Sequence, residues 1–132
     1  MAQLPLQKTI GIIGGGQLGK MLIEASRPLN FHYHILENDA HCPASHLADK
    51  VIVGKLTDDT KIRELAESTD VITYEIEHVN SETLLDLEAK GKLIIPSPKA
   101  LQIIQDKGKQ KQFYSKHFIK TAPYYIVNSD SD

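Results

Sequence analysis

The stretch Ile10-Gly11-Ile12-Ile13-Gly14-Gly15-Gly16-Gln17-Leu18-Gly19-Lys20-Met21-Leu22 decides how this chain is read. Its first residues form a short apolar strand, and the glycines that end the strand open into a helical pattern. Glycine lets the backbone take φ > 0 and lets another group approach the main chain closely. The helix behind offers unpaired N–H groups and the positive end of its dipole, which suit an anion. The run is the first half of a nucleotide-type strand–turn–helix unit, and its expected ligand is a phosphate-bearing small molecule or a polar head group. Gly14, Gly16 and Gly19 fit G-x-G-x-x-G in the strand-to-helix context that dinucleotide binding demands. Glu37 follows Gly19 by 18 residues, near where an acidic side chain would take a ribose 2′-hydroxyl. Taken mechanically, that spacing predicts NAD. The competing reading is that the glycines only permit a tight turn and close helix–sheet packing.

Outward from this turn the chain alternates. Strands are predicted at Thr9–Ile13, His32–Leu36, Lys50–Val53, Val71–Tyr74 and Leu93–Ile95, short apolar or β-branched runs bounded by polar or turn residues. Helical patterns lie between them. Leu18, Met21, Leu22 and Ala25 fall at i, i+3, i+4 and i+7, which predicts one apolar stripe. Ile62, Leu65 and Ala66 follow Thr57-Asp58-Asp59-Thr60, a segment rich in helix-capping residues. Ser81 to Lys90 carries Leu84, Leu85 and Leu87 and stops at Gly91. Ser97-Pro98 reads as a cap followed by proline in the first helical turn, opening a helix through Ile104. A short helix is expected between the second and third strands. This order predicts an α/β fold with a doubly wound, mainly parallel Rossmann-like sheet and helices on both faces.

The last residues behave differently. Lys107 to His117 reads as a basic helix, with Gly108 marking a break from the one before it. Tyr124 to Val127 is strand-like, and Asn128 to Asp132 is a polar tail. That pattern fits the start of a further domain, and equally a terminal edge strand with a frayed tail.

Composition narrows the function classes. The 132 residues are 41% hydrophobic and 24% charged, an ordinary profile for one globular domain. A net charge of −2 without a run of lysines argues against a nucleic-acid partner. One cysteine, Cys42, cannot form an internal disulfide and fits a reducing compartment. No stretch could span a bilayer, and no signal-peptide pattern opens the chain, so a cytoplasmic location and no membrane partner are expected.

Two groups of side chains invite chemistry. The fourth strand ends in Thr73-Tyr74-Glu75-Ile76-Glu77-His78-Val79, and open α/β sheets bind ligands beyond the carboxyl ends of their strands. Glu75 and, less directly, Glu77 could there accept hydrogen bonds from an amine or a ribose hydroxyl. The alternative is a pair of solvated glutamates. His32, His34, His41, Cys42 and His46 suggest a metal, but none of the usual ligand spacings is present, so no metal site is expected. Cys42 has no recognisable local partner for nucleophilic catalysis, and no G-x-S-x-G elbow occurs.

Read together, these segments resemble one family. The run Gly11 to Leu22 is similar to the opening of 5-(carboxyamino)imidazole ribonucleotide synthase, an ATP-grasp ligase of purine biosynthesis. Pro43-Ala44 through Ala48-Asp49, Val51 to Gly54, Thr73 to Val79, Pro96-Ser97-Pro98 with Ala100-Leu101, Ile103 to Lys107 and Thr121-Ala122-Pro123 fit it in order. The resemblance implies a Rossmann-like pre-ATP-grasp domain at 1–106 that does not bind NAD. A connecting helix and the start of an ATP-grasp domain would follow at 107–132. It implies that Gly16, Gln17, Leu18, Glu75 and Glu77 contact the acceptor, 5-aminoimidazole ribonucleotide. Lys107 would contact ATP where the family often has arginine, keeping the charge but losing the planar fork. ATP would phosphorylate bicarbonate to carboxyphosphate, and the acceptor's amine would then receive the carboxyl group, with Mg²⁺ neutralising the phosphoryl group. The family's enzymes continue through two more domains, so no catalytic residue is expected in this chain. The fragment alone is expected to be inactive, and the full-length enzyme is expected to be a homodimer. Three alternatives stay open: a domain like that of formate-dependent glycinamide ribonucleotide transformylase, whose turn usually carries glutamate at the Gln17 position; an NAD(P)-dependent oxidoreductase; and a non-catalytic nucleotide-sensing module.

Overall fold

Ile12 and Ile13 are neighbours in sequence and stand on opposite faces of one sheet, because successive strand side chains alternate. The computed structural model describes residues 7–127. Its sheet is wholly parallel, in the order β3-β2-β1-β4-β5, with β1 at Thr9–Ile13, β2 at His32–Glu37, β3 at Lys50–Val53, β4 at Val71–Tyr74 and β5 at Leu93–Ile94. The helices are α1 (Gln17–Ser26), α2 (Asp59–Glu67), α3 (Ser81–Ala89), α4 (Pro98–Gln105) and α5 (Lys107–Lys116), with a 3₁₀ turn at Arg27–Leu29. The doubly wound α/β reading holds. β1 is central, with β2 and β3 to one side and β4 and β5 to the other.

Short polar side chains start four of the helices. Asp58 accepts from the N–H groups of Thr60 and Lys61, Asn80 from Thr83, Ser97 from Lys99 and Asp106 from Lys109. Each such cap is worth about 1 kcal/mol. α1 differs: its cap residue is Gly16, and no side chain bonds its first turn. The opening of α1 is thereby left available.

One face of the sheet carries most of the core. Ile13, Leu36, Ile52, Ile72 and Ile94 from all five strands pack against Ile62 and Leu65 of α2, Leu84 of α3 and Leu101 of α4. The other face holds a smaller cluster of Ile12, Tyr33, Ile35, Cys42 and Ala44, which α1 joins through Ile23. That cluster covers only the β1–β2–β3 side. Toward β5, Leu93 and Ile95 are 52% and 56% exposed.

α1 meets the sheet along an unexpected line. Leu18, Met21, Leu22 and Ala25 are exposed, and the buried residues are Gly19 and Ile23. Ser26, one further turn along, bonds the Tyr33 hydroxyl at 2.7 Å. The cause is steric. A Cβ on Gly19 would lie 2.4 Å from the Gly14 carbonyl oxygen, so the helix can approach the strand this closely only along the side where it has no side chain.

Three smaller expectations are also corrected. The segment between β2 and β3 is a run of turns rather than a short helix. The break before α5 falls at Asp106, which caps it, and Gly108 lies inside the helix. Tyr124 to Val127 forms no strand: among the described residues none offers it a ladder, and Tyr125 is almost wholly exposed. The polar tail from Asn128 lies outside the described residues. No helix among the described residues is long and apolar enough to cross a membrane.

Candidate functional site

The sheet order reverses at β1, whose neighbours β2 and β4 begin opposite halves of the sheet. Ligands of open α/β sheets bind at such a switch point, beyond the carboxyl ends of the strands. Here the ends of β1, β2 and β4 deliver the glycine turn, Glu37 and Glu75 to one place.

Gly14 leaves β1 with φ +108°, a conformation that side chains rarely adopt. Its N–H donates to the Leu36 carbonyl at 3.0 Å, and Glu75 N–H donates to the Ile13 carbonyl at 3.3 Å. The Glu75 side chain lies directly against the turn: a Cβ added to Gly14 would meet its Cγ and Oε1 at 2.7 Å, and one on Gly16 would meet Oε1 at 3.4 Å. Burial, and then the neighbouring charge of Glu37, raise the pKa of Glu75 above its ordinary value.

The opposite side of the turn is closed by the chain itself. Gly15 N–H donates to Glu37 Oε2 at 2.8 Å, while the other oxygen of Glu37 accepts from Asn38 N–H at 2.7 Å. Cys42 sits beneath Gly15, with Sγ 2.6 Å from where a Cβ would stand, and Ala44 N–H donates to the Gly15 carbonyl at 2.9 Å. Burial pushes the Cys42 thiol above its usual range, which suits a packing residue rather than a nucleophile. No hydrogen bond among the described residues engages the N–H groups of Gly16, Gln17 or Leu18.

The residues singled out from sequence are therefore only partly gathered. Glu75 Oε1 lies 3.4 Å from where a Cβ on Gly16 would stand, and Gln17 and Leu18 stand exposed on the first turn of α1. Glu77 is exposed two residues further on. Its backbone carbonyl, with that of Val79, accepts from the Gln105 side chain, both at 2.8 Å, which ties the end of α4 to this loop. Lys107 belongs to a different place, an open depression of about 490 Å³ that it lines with Asp106, Lys111, Tyr124 and Tyr125. The histidines scatter. His32 pairs with Asp49 and His34 with Ser68 at the start of β2, far along the strand from the loop that carries Cys42. Among the described residues no three His, Cys, Asp or Glu side chains gather to hold a metal ion. Sequence reasoning missed the bracing roles of Glu37, Cys42 and Ala44. Of these only Glu37 had a signal, its position at the end of β2, and that signal was read as a ribose contact.

A parallel sheet of this order, with a glycine turn and a strand-end carboxylate at its switch point, defines a Rossmann-like α/β domain. The chain belongs to the ribonucleotide synthetase preATP-grasp domain family, whose model matches residues 7–105. It is 44% identical over 122 residues to N5-carboxyaminoimidazole ribonucleotide synthase of Brucella melitensis, covering 92% of this chain and 33% of that protein. Among solved structures, the N5-carboxyaminoimidazole ribonucleotide synthetase of Thermotoga maritima is 41% identical with a TM-score of 0.88, over 93% of this chain and 34% of that one. The N5-carboxyaminoimidazole synthase of Aspergillus clavatus, solved with ADP and 5-aminoimidazole ribonucleotide, is 36% identical with a TM-score of 0.77, over 84% and 30% respectively. The chain thus spans about a third of the length of these relatives.

Proposed function

We propose that this chain is the acceptor-holding domain of an ATP-dependent ligase that carboxylates 5-aminoimidazole ribonucleotide with bicarbonate to give N5-carboxyaminoimidazole ribonucleotide. The observation that carries the reading is the placement of Glu75 against the glycine turn, beside the uncapped start of α1 at the switch point. The Glu75 carboxylate accepts hydrogen bonds from a ribose hydroxyl or the acceptor's amine. The free N–H groups of Gly16, Gln17 and Leu18 donate to acceptor oxygens or ring nitrogens, and Glu77 borders the same opening. The solved relative that holds ADP together with this nucleotide supports the pairing of substrates. ATP is a substrate here and supplies the activation that makes bicarbonate an electrophile. The Lys107 cation, in its own depression, suits the edge of an ATP site. The described residues offer no cluster fit for Mg²⁺, so no step is assigned to that ion through this chain. The same reading takes 1–106 as the acceptor domain and 107–132 as the approach to an ATP-grasp domain, supported by a family match that ends at residue 105. It also takes the full-length enzyme to be a cytoplasmic homodimer, and the chain alone to be inactive.

The test is kinetic. In the full-length enzyme, Glu75→Ala is expected to lower kcat/KM for the acceptor roughly tenfold to a hundredfold, the value of a hydrogen bond to a charged group. ATP binding without acceptor should stay unchanged, and Glu77→Ala should do less. Unchanged acceptor kinetics in a Glu75→Ala enzyme that melts like wild type would remove the residue from the site.

A further inference from the structure

We infer that Glu37 is a specificity-determining residue: its carboxylate serves as the resident anion of the glycine turn, so that the turn refuses a phosphate and takes an uncharged, hydrogen-bonding edge of its ligand. This deepens the acceptor reading above and rests on it for the identity of that ligand.

A strand–turn–helix unit normally holds a dinucleotide by its phosphates and by a ribose. Backbone N–H groups at the turn and the helix dipole behind them hold the pyrophosphate, and a carboxylate at the end of the second strand reaches outward to a ribose. In this chain that carboxylate turns the other way. One oxygen of Glu37 receives Gly15 N–H at 2.8 Å, and the other receives Asn38 N–H at 2.7 Å. The Gly15 N–H is thereby consumed, and each Glu37 oxygen already serves a backbone donor of its own chain. The Glu37 backbone carbonyl is also engaged, by Gly54 N–H at 3.0 Å, so the end of β2 is tied to the residue that follows β3.

Charge reinforces geometry. Glu75 flanks the turn from the β4 side, so any incoming phosphate meets two carboxylates across a single glycine turn. Two carboxyl groups beside the turn oppose a further anion, and the half-charge of one helix end works against both of them. The N–H groups still free, at Gly16, Gln17 and Leu18, can serve neutral oxygens and ring nitrogens. A nucleotide must therefore enter with its base and ribose toward the turn and its phosphate directed away from it. The motif match to a dinucleotide site is real in spacing and is cancelled by the side chain meant to complete it.

The experiment titrates inorganic pyrophosphate, and separately NAD⁺, into this chain and its variants, following the backbone amides by NMR. In wild type, the amides of Gly15, Gly16 and Gln17 should stay unmoved. Glu37→Ala frees the Gly15 donor and removes one charge, and should bind pyrophosphate at the turn at least roughly tenfold more tightly, as expected for one hydrogen bond to a charged group. Glu37→Gln keeps an oxygen for Gly15 N–H while removing the charge. It should gain less, and it decides the matter where the alanine variant loosens the turn. A folded variant whose turn amides ignore pyrophosphate overturns the inference, as does a wild-type chain that binds it at the turn equally well. No acceptor nucleotide enters these titrations, so their failure is separate from failure of the acceptor reading, which the Glu75 kinetics test.

Discussion

At Glu75 two influences act in the same direction. Partial burial disfavours its charged form, and Glu37 across the turn disfavours it further, so its pKa in the folded chain stands above its ordinary value of 4.5. For an acid shifted upward, folding is unpenalised while the group is protonated in both states. The cost grows as pH rises from the unfolded value through the folded one. Glu75→Gln removes that cost without removing volume. The variant should melt above wild type at neutral pH, and the advantage should vanish once pH falls below the ordinary carboxylate range; equal melting temperatures at every pH would show that the burial carries no charge penalty. The place of Glu75 beside the glycine turn was legible in the sequence because the end of a central strand is fixed by topology. The role of Glu37 was not. Its spacing from the glycines says where its Cα lies, whereas its function depends on which way one carboxylate rotates, and that is settled by the Gly15 and Asn38 N–H groups.

Among elements, the strands were the most readable, since short apolar runs between turn residues have few other places to go. Three of the five match the residues expected, and β2 and β5 differ by one residue at their ends. Caps were similarly plain: Asp58, Ser97 and the stop at Lys90-Gly91 all act as their residue types suggest. The orientation of α1 was hidden for a definite reason. Periodicity counts apolar side chains, and the residue that sets this helix on its strand is a glycine that has none. The consequence is measurable. Ile23 is 1% exposed in the smaller core cluster, so Ile23→Ala should cost about 2–5 kcal/mol. Met21→Ser, on the side the pattern favours, should stay within about 0.5 kcal/mol. Chemical denaturation of both variants checks this, and a reversed ranking would mean that the apolar stripe is buried after all. Tyr124 to Val127 misled in the opposite way, having strand composition without a neighbouring strand to bond.

For the molecule as a whole, the two faces of the sheet are unequal. Three helices lie on the larger cluster, while α1 is the one helix among the described residues that joins the smaller one. The fold class was legible because alternation of elements allows few architectures. The lopsidedness was not, because it depends on which crossovers lie on which face. It bears on calorimetry. Unfolding raises the heat capacity by hydrating apolar surface that the native state keeps dry, typically about 1.6–2.0 kcal/mol/K for a chain of this length. Here Leu93 and Ile95 on the open side of the sheet, and Leu18, Met21 and Leu29 on and after α1, are all more than half exposed, so they already meet solvent before unfolding begins. The increment measured by scanning calorimetry on the chain alone should fall below that range, and a value at its upper end would contradict the open face. A smaller increment flattens the stability curve, so this domain should lose little stability on cooling and show only weak curvature between its coldest and warmest folded temperatures.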